Sequence, residues 1–364
     1  VKVAIVAPLV APIREPQRGG SQVFVSDLAR GLVDRGHEVD LYAASGSLLP
    51  GVRTVDTGVD YRALEATLYR PAGAVARGLD VAKRAFAGVY RAVRDTGYDV
   101  VHNHAFDPPA VALATALQAP VLHTLHLPPE PEVVGALRQT AAGSEPPAVA
   151  CVSDHQAKAW RRLVRVDAIL PPLVPTSAIH FSPAAGHGAV FAGRFSPEKG
   201  AAEAIEIARA AGVRIELFGD SYDDEYTRRR IEPHRAEPGV FVHASVPRMS
   251  LWQVMARAAV VLCPASWEEP FGMVAAEAQA CGTPVVAFRR GALAEVVLDR
   301  VTGFLIAPGN ISAAADAVLR TPKLSRRQCR AHAESQLDLA WTLDAHERLY
   351  QQLASARVGA ATGG

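Results

Sequence analysis

Cysteine is scarce and scattered. Cys151, Cys263, Cys281 and Cys329 are the only four in 364 residues, and no C-x-x-C occurs. That argues against a disulfide scaffold and a zinc ribbon, and fits a reducing, cytoplasmic compartment. Excess charge of either sign is also missing: 38 basic residues face 37 acidic ones, for a net charge of +1. Nucleic acid is therefore not an expected partner, because general binding to it needs surplus cations to displace counterions. No apolar run approaches the ~20 residues of a membrane-spanning helix. The chain opens directly on a strand, Val1 to Val6, and no signal peptide is visible. Several signatures are absent: G-x-G-x-x-G after a strand, G-x-x-x-x-G-K-[ST], H-E-x-x-H and G-x-S-x-G. Their absence weighs against dinucleotide, P-loop, zincin and hydrolase chemistry. Lysine is rare too. Only Lys2, Lys83, Lys158, Lys199 and Lys323 stand among the 38 basic residues, so each marks a departure from an Arg-rich background.

What is present is an ordinary globular composition, 49% hydrophobic and 21% charged. The length exceeds what one core usually supports, so two domains are expected. Short β-branched runs alternate with helical periodicity. Strands are read at Val3–Val6, Glu38–Ala43, Asp99–His102, Pro120–Thr124 and Ala148–Val152, with helices at 21–35, 62–95, 108–118 and 154–165. After a Pro- and Gly-rich stretch the alternation restarts. The second set of strands is Ala189–Ala192, Val213–Phe218, Val240–His243, Val260–Cys263 and Pro284–Ala287, with helices at 198–211, 223–236, 248–258, 273–281 and 311–320. Such alternation implies parallel sheets. The expected fold is α/β, with two tandem doubly wound Rossmann-like domains facing a cleft. Residues 1–172 plus the terminal helix 341–357 form the N-terminal domain, 173–187 the connection, 188–340 the second domain and 358–364 a disordered tail. Ligands in open parallel sheets bind beyond the carboxyl ends of strands, so function is sought in the loops there.

Four groups of residues carry chemistry. In Phe191-Ala-Gly-Arg194-Phe-Ser-Pro197-Glu198-Lys199-Gly200, a strand ends and a helix is expected to open near Pro197, with Lys199 in its first turn. A cation there opposes the helix dipole. Either it is a solvated surface charge, or an anion such as a diphosphate sits against Arg194, Lys199 and the helix amides. In Trp267-Glu268-Glu269-Pro270-Phe271-Gly272-Met273-Val274-Ala275-Ala276-Glu277, two carboxylates lie eight residues apart, one before and one inside an apolar helix. They suit the hydroxyls of a sugar and a ribose, or they are a helix-start charge and a surface Glu. Gly272 is expected to let a ligand approach the backbone. His102, His104, His123 and His126 end two strands of one sheet. With no carboxylate at ligand spacing they are not read as a metal site; one of each pair is expected to line the cleft while the others pack. Gly19-Gly20 precedes the first helix, either as a flexible turn or as an amide nest.

Taken together, the chain resembles the GT-B-fold retaining glycosyltransferases of glycosyltransferase family 4. The resemblance rests on Gly19-Gly20, Arg35-Gly36-His37-Glu38-Val39, Asp99-Val-Val-His102-Asn-His104, Gly193-Arg194 through Lys199-Gly200, and the E-x₇-E pair Glu269/Glu277. It continues through Ala280-Cys-Gly282-Thr-Pro284-Val-Val-Ala and Thr302-Gly303-Phe304-Leu305. It implies a catalytic set of His104, Glu269, Arg194 and Lys199, with the two cations neutralising the donor diphosphate and Glu269 and His104 reaching the donor sugar. It implies donor contacts from Gly19, Gly20, Phe271, Gly272, Met273, Val274 and Glu277, the last to the ribose, and places His126 on the acceptor side. The terminal helix would cross back onto the N-terminal domain. Two departures stand out: Gly291-Ala292 where relatives carry Gly-Gly, and Asp299-Arg300 where they carry Asp-Gly, which puts the local backbone in question.

The implied reaction moves a sugar from a nucleoside-diphosphate sugar, a substrate rather than a cofactor, to a small-molecule, glycan or lipid-linked hydroxyl acceptor. Fixed cations take the place of a metal at the leaving phosphate. No second carboxylate suits a double displacement, so same-face transfer with retention is expected. The alternatives are a GT-B-fold nucleotide-sugar 2-epimerase and a non-catalytic sugar-nucleotide-binding protein. A pyridoxal-phosphate phosphorylase would need a Schiff-base lysine, for which Lys158 and Lys323 are poorly placed. Residues 61–94 carry seven basic side chains (Arg62, Arg70, Arg77, Lys83, Arg84, Arg91, Arg94). A solvated helix face is the preferred reading there over peripheral docking on anionic lipid.

Overall fold

The computed structural model describes residues 1–65, 76–143, 145–184 and 186–362, without the side chains of 65–79 and 357–362. The chain divides into two compact units. The first comprises Val1–Arg14, Gly20–Pro171 and Thr342–Gly364; the second comprises Glu15–Gly19 and Pro172–Trp341.

The first unit is built on seven parallel strands: β1 (Lys2–Val6), β2 (Glu38–Ala43), β3 (Arg53–Asp56), β4 (Val100–Asn103), β5 (Val121–Leu125), β6 (Ala148–Cys151) and β7 (Ala168–Ile169). Their order is β3-β2-β1-β4-β5-β6-β7. The second unit has six: β8 (Ala189–Ala192), β9 (Ile215–Phe218), β10 (Val240–His243), β11 (Val260–Cys263), β12 (Val285–Phe288) and β13 (Gly303–Ile306). These run in the order β10-β9-β8-β11-β12-β13. The central strands read as continuous apolar runs, Val-Ala-Ile-Val in β1 and Val-Val-Leu in β11, because both faces are covered. Edge strand β10 alternates instead, with Phe241 and His243 exposed. The sequence reading missed β3, β7 and β13. The first two are edge strands of four and two residues, and the third begins on a glycine.

In each sheet the unit's first strand lies between its second and its fourth. Chain order therefore reverses at β1/β4 and at β8/β11, and at such a switch point the loops diverge and leave room for a ligand.

Helices fill the faces. Ala201–Ala210 buries Ala201, Ala204, Ile205, Ile207 and Ala208 in the second core, together with Phe191, Leu217 and Val286. The expected helix at 223–236 breaks into a turn of α-helix, a π-turn and a 3₁₀ turn ending around Pro233, whose ring cannot donate to the ladder. Arg326–Gln336 was not foreseen as a helix. Its buried stripe contains Arg326, whose guanidinium donates to the carbonyls of Ser182, Ala256 and Ala258, so the segment reads as polar. In Ala76–Thr96, Ala82, Phe86, Val89 and Val93 are buried, while Lys83, Arg84, Arg91 and Arg94 face solvent. Arg70 of that basic segment, and the side chain of Arg77, lie outside the described residues. The terminal helix spans Leu339–Thr362. The tail expected at 358–364 therefore has helical backbone to Thr362, and its side chains lie outside the described residues. No helix among the described residues is long and apolar enough to cross a membrane.

Candidate active site

The switch point of the second unit is made by the loops after β8 and β11. The first loop carries Arg194 to Gly200. The helix opens at Ala201, not near Pro197, so Lys199 lies in the turn before it. The reason is Gly200, which has φ +77°, outside helical space. A Cβ at that glycine would fall 2.2 Å from the Pro264 carbonyl oxygen. The two loops therefore pack backbone to backbone, and the Ser266 amide donates to the Glu198 carbonyl at 3.0 Å.

This packing sets Lys199 beside Glu269. The ammonium donates to both carboxylate oxygens, at 2.8 and 3.1 Å. Trp267 Nε1 also donates to Glu269, at 2.8 Å, and the indole lies under the ammonium, 4.7 Å from it. Arg194 stacks on Tyr222 at 4.3 Å and pairs with Glu198 at 3.2 Å, and the Ser196 hydroxyl donates to the same Glu198 oxygen. The loop after β12 completes the support. Arg290 and the Gly291 amide donate to Glu268, and the Ala292 amide donates to the Glu269 carbonyl. A Cβ on Gly291 would meet the Glu269 backbone at 2.2 Å, so this glycine is required where it stands.

The helix Met273–Ala280 starts at Gly272, φ +106°. A Cβ there would meet Leu293 at 2.8 Å, so within the protein Gly272 accommodates a neighbouring side chain as well as a left-handed turn. Phe271 and Met273 are buried and Val274 is half-buried. Glu277 is buried one turn further in, and Arg248 Nε donates to it at 2.6 Å with both side chains at most 10% exposed. As the partner of Glu277, Arg248 was missed from sequence, since one arginine is inconspicuous in so Arg-rich a composition.

In the first unit the corresponding switch point lies between β1 and β4. Gly20 opens the helix Gly20–Asp34, while Gly19, just before it in the chain, belongs to the second unit. The His104 amide donates to the Val6 carbonyl at 2.9 Å, which seats His104 at the ends of β1 and β4. All four histidines are buried, His126 being the most exposed at 9%. Strand parity explains the grouping. His102 and His104 share a face with Thr124 and His126, while His123 points the other way and pairs with Asn103. His102 bonds Tyr350 at 2.6 Å and Thr124 at 2.7 Å. His104 and His126 share a hydrogen bond of 3.0 Å, and Phe24 packs edge-on to both. Tyr350 and His346, four residues apart on the terminal helix, complete the cluster and were not singled out from sequence. Burial pushes His102 and His104 well below the usual imidazole range, His126 to about 3, and His123 and His346 to about 4. All five are neutral imidazoles. Arg35 and His37 hold the same terminal helix through Asp344 and Glu347, which gives that motif a structural role.

No group of three or more His, Cys, Asp or Glu side chains placed to hold a metal ion occurs among the described residues. The structure thus brings together Arg194, Lys199, Glu269 and Glu277 with the Phe271–Val274 helix start in one unit, and His104 with His126 in the other.

Two repeated doubly wound α/β sheets, each with charged or hydrogen-bonding groups at its switch point, define a two-unit α/β protein with candidate ligand sites at its strand ends, and comparison with known proteins specifies the class. Residues 18–177 match the family model for Glycosyltransferase Family 4, and residues 180–336 that for Glycosyl transferases group 1. A D-inositol 3-phosphate glycosyltransferase of Xylanimonas cellulosilytica is 32% identical, over 84% of each chain. Sucrose-phosphate synthase from Thermosynechococcus elongatus superposes with a TM-score of 0.79 at 21% identity, covering 98% of this chain and 100% of that one. Anabaena HepE, solved in complex with UDP and glucose, gives 0.74 at 19%, covering 96% and 99%. The chain belongs to the GT-B-fold glycosyltransferases of family 4, and it is an enzyme of that class.

Proposed function

We propose that the enzyme moves a sugar from a nucleoside-diphosphate sugar to a hydroxyl acceptor, with retention and with protein cations in place of a divalent metal at the leaving phosphate. The observation that carries this reading is the bidentate contact of Lys199 with Glu269 at the switch point of the second unit. It fixes an ammonium and a carboxylate side by side, next to Arg194 and to a helix N-terminus. A diphosphate takes the cations and the helix amides; the adjoining carboxylate accepts from a sugar hydroxyl. As the anomeric C–O bond to phosphate breaks, negative charge grows on the β-phosphate, where Lys199 and Arg194 stabilise it. The acceptor oxygen bonds to the anomeric carbon on the face the phosphate leaves, and its proton passes to a phosphate oxygen. The products are the glycoside and the nucleoside diphosphate. His104, buried at the first unit's switch point with Nε2 lacking a partner among the described residues, is the group assigned to a sugar oxygen.

UDP-glucose is the first donor to test, because HepE was solved with UDP and glucose. D-inositol 3-phosphate is the first acceptor, because relatives carry that name. With a donor in hand, Lys199→Ala should lower kcat by about 10²–10³, the usual loss for one group aimed at developing charge. Its urea midpoint should stay close to wild type, because the side chain is partly exposed. Near wild-type turnover in that variant, or activity abolished by EDTA and restored by a divalent ion, would sink the reading.

A further inference from the structure

His104 and His126 are the first residues beyond adjacent strands β4 and β5, and their only mutual polar contact runs from Nδ1 of one to Nε2 of the other, 3.0 Å apart. A single proton lies between those two nitrogens, because burial keeps both rings neutral. Two arrangements are possible. If His104 donates, each ring carries its proton on Nδ1. If His126 donates, each ring carries it on Nε2, the tautomer a free neutral histidine prefers. The second arrangement puts both rings in their intrinsically better form at once. It also gives His104 a defined second face: an N–H at Nε2. That nitrogen is fully buried and has no hydrogen-bond partner among the described residues. Nε2 of His123 and of His346 are similarly unpartnered, but they sit within β5 and on the terminal helix rather than at the sheet's switch point. Only the His104 nitrogen sits where strand order reverses, and the tilted ring contact with His102 at 3.9 Å and the edge contact of Phe24 hold its ring in place.

We propose that His126 is a positioning residue, not an acceptor-binding one: its Nε2–H donates to His104 Nδ1 and so fixes His104 as an Nε2–H donor toward an oxygen of the bound sugar nucleotide. The role given to His104 rests on the function proposed above; the tautomer does not. A buried N–H without an acceptor is costly, and a ligand oxygen relieves that cost on binding. The arrangement also makes the site selective by sign. It offers a donor to hydroxyl or ring oxygens and nothing to a ligand N–H.

The test begins without substrate. In the full chain labelled with ¹⁵N-histidine, proton–nitrogen correlation spectra at neutral pH distinguish protonated from bare ring nitrogens, and His104→Gln assigns the relevant signals. The expected wild-type result is a protonated Nε2 and a bare Nδ1 on His104. His126→Gln, whose side-chain amide can still donate, should keep that pattern. His126→Phe should mix the tautomers; His126→Asn, one bond too short, does the same if the Phe variant fails to fold. A wild-type His104 carrying its proton on Nδ1 overturns the proposal, whatever the activity. With UDP-glucose as the probe, His126→Phe should lower kcat about tenfold, the scale of one neutral hydrogen bond, and His126→Gln should restore it. A mixed tautomer with unchanged kcat would instead overturn the role of His104 in the proposed function and leave the tautomer assignment standing.

Discussion

The two units repeat one strand order and place their candidate site groups at the same topological position, yet the chemistry there is opposite. At β8/β11 the second unit concentrates charge, with Lys199 on Glu269, Arg194 beside Glu198, and Arg248 on a buried Glu277. At β1/β4 the first unit instead packs neutral imidazoles against Phe24 and Tyr350. Topology dictates where a ligand sits; the loop residues dictate what is offered to it. A diphosphate needs fixed cations. A sugar, uncharged, needs directional donors held in a dry wall, and desolvation supplies that wall at the cost of sensitivity to acid.

That sensitivity gives the largest effect by which the comparison can be broken. All five buried histidines belong to the first unit. Unfolded histidine titrates near pH 6.5, whereas in the folded chain His123 and His346 titrate at about 4 and His126 at about 3. Between those values the unfolded state binds more protons. The stability the neutral rings provide is therefore complete above pH ~6.5 and is lost as pH falls, by up to about 1.4 kcal/mol per pH unit for each ring. The first unit should open well before the second on acidification from pH 7.5 to 5. Hydrogen exchange, corrected for its intrinsic pH dependence and read peptide by peptide, measures this. Equal loss of protection in both units would show that the buried imidazoles are not what distinguishes them.

The second unit should fail by a different route. Arg248→Ala leaves Glu277, 5% exposed, in the interior without its cation. Breaking one side of a buried pair costs about 3–5 kcal/mol. The double variant with Glu277→Ala should recover part of that loss, because the stranded charge goes with it. Urea midpoints of the two single variants and the double variant decide the matter. If the losses simply add, the pair is not coupled as its geometry indicates.

The contrast between the units was only half legible in the sequence. Strand alternation, and motifs standing directly after strands, were enough to locate both switch points, since those features are local. Pairings were not, because they join positions far apart in the chain. Lys199 and Glu269 are 70 residues apart, and His102 and Tyr350 are 248 apart. The histidines show the limit most clearly. H-x-H keeps one strand face and H-x-x-H changes it, so parity alone groups His102 with His104 and separates His123 from His126. Burial could not be read that way, because the terminal helix that covers them lies more than 200 residues downstream. Helix starts also misled: Pro197 looks like a first helical residue, but the left-handed Gly200 postpones the helix to Ala201.

The smallest expected effect lies away from both switch points. Asp299-Arg300 makes the turn into β13. Arg300 has φ +64°, a left-handed conformation that a side chain adopts at a cost of roughly 1–2 kcal/mol. The turn is held from outside the residue: the Arg300 amide donates to the Gly303 carbonyl at 2.7 Å, and Asp299 accepts from the Leu305 amide. Arg300→Gly removes the steric penalty but returns freedom to the unfolded chain, which offsets part of the gain. The second unit should therefore become more stable by about 0.5–1 kcal/mol, with donor binding unchanged. Arg300→Ala, which keeps the Cβ, should gain nothing. Thermal unfolding of the two variants tests the turn, and nucleotide titration tests whether it is independent of the site. A Gly variant no more stable than the Ala variant would mean that the positive φ carries no penalty here. A change in nucleotide affinity would mean that the β13 turn reaches the β8/β11 loops, and the division between a functional switch point and a passive rim would have to be redrawn.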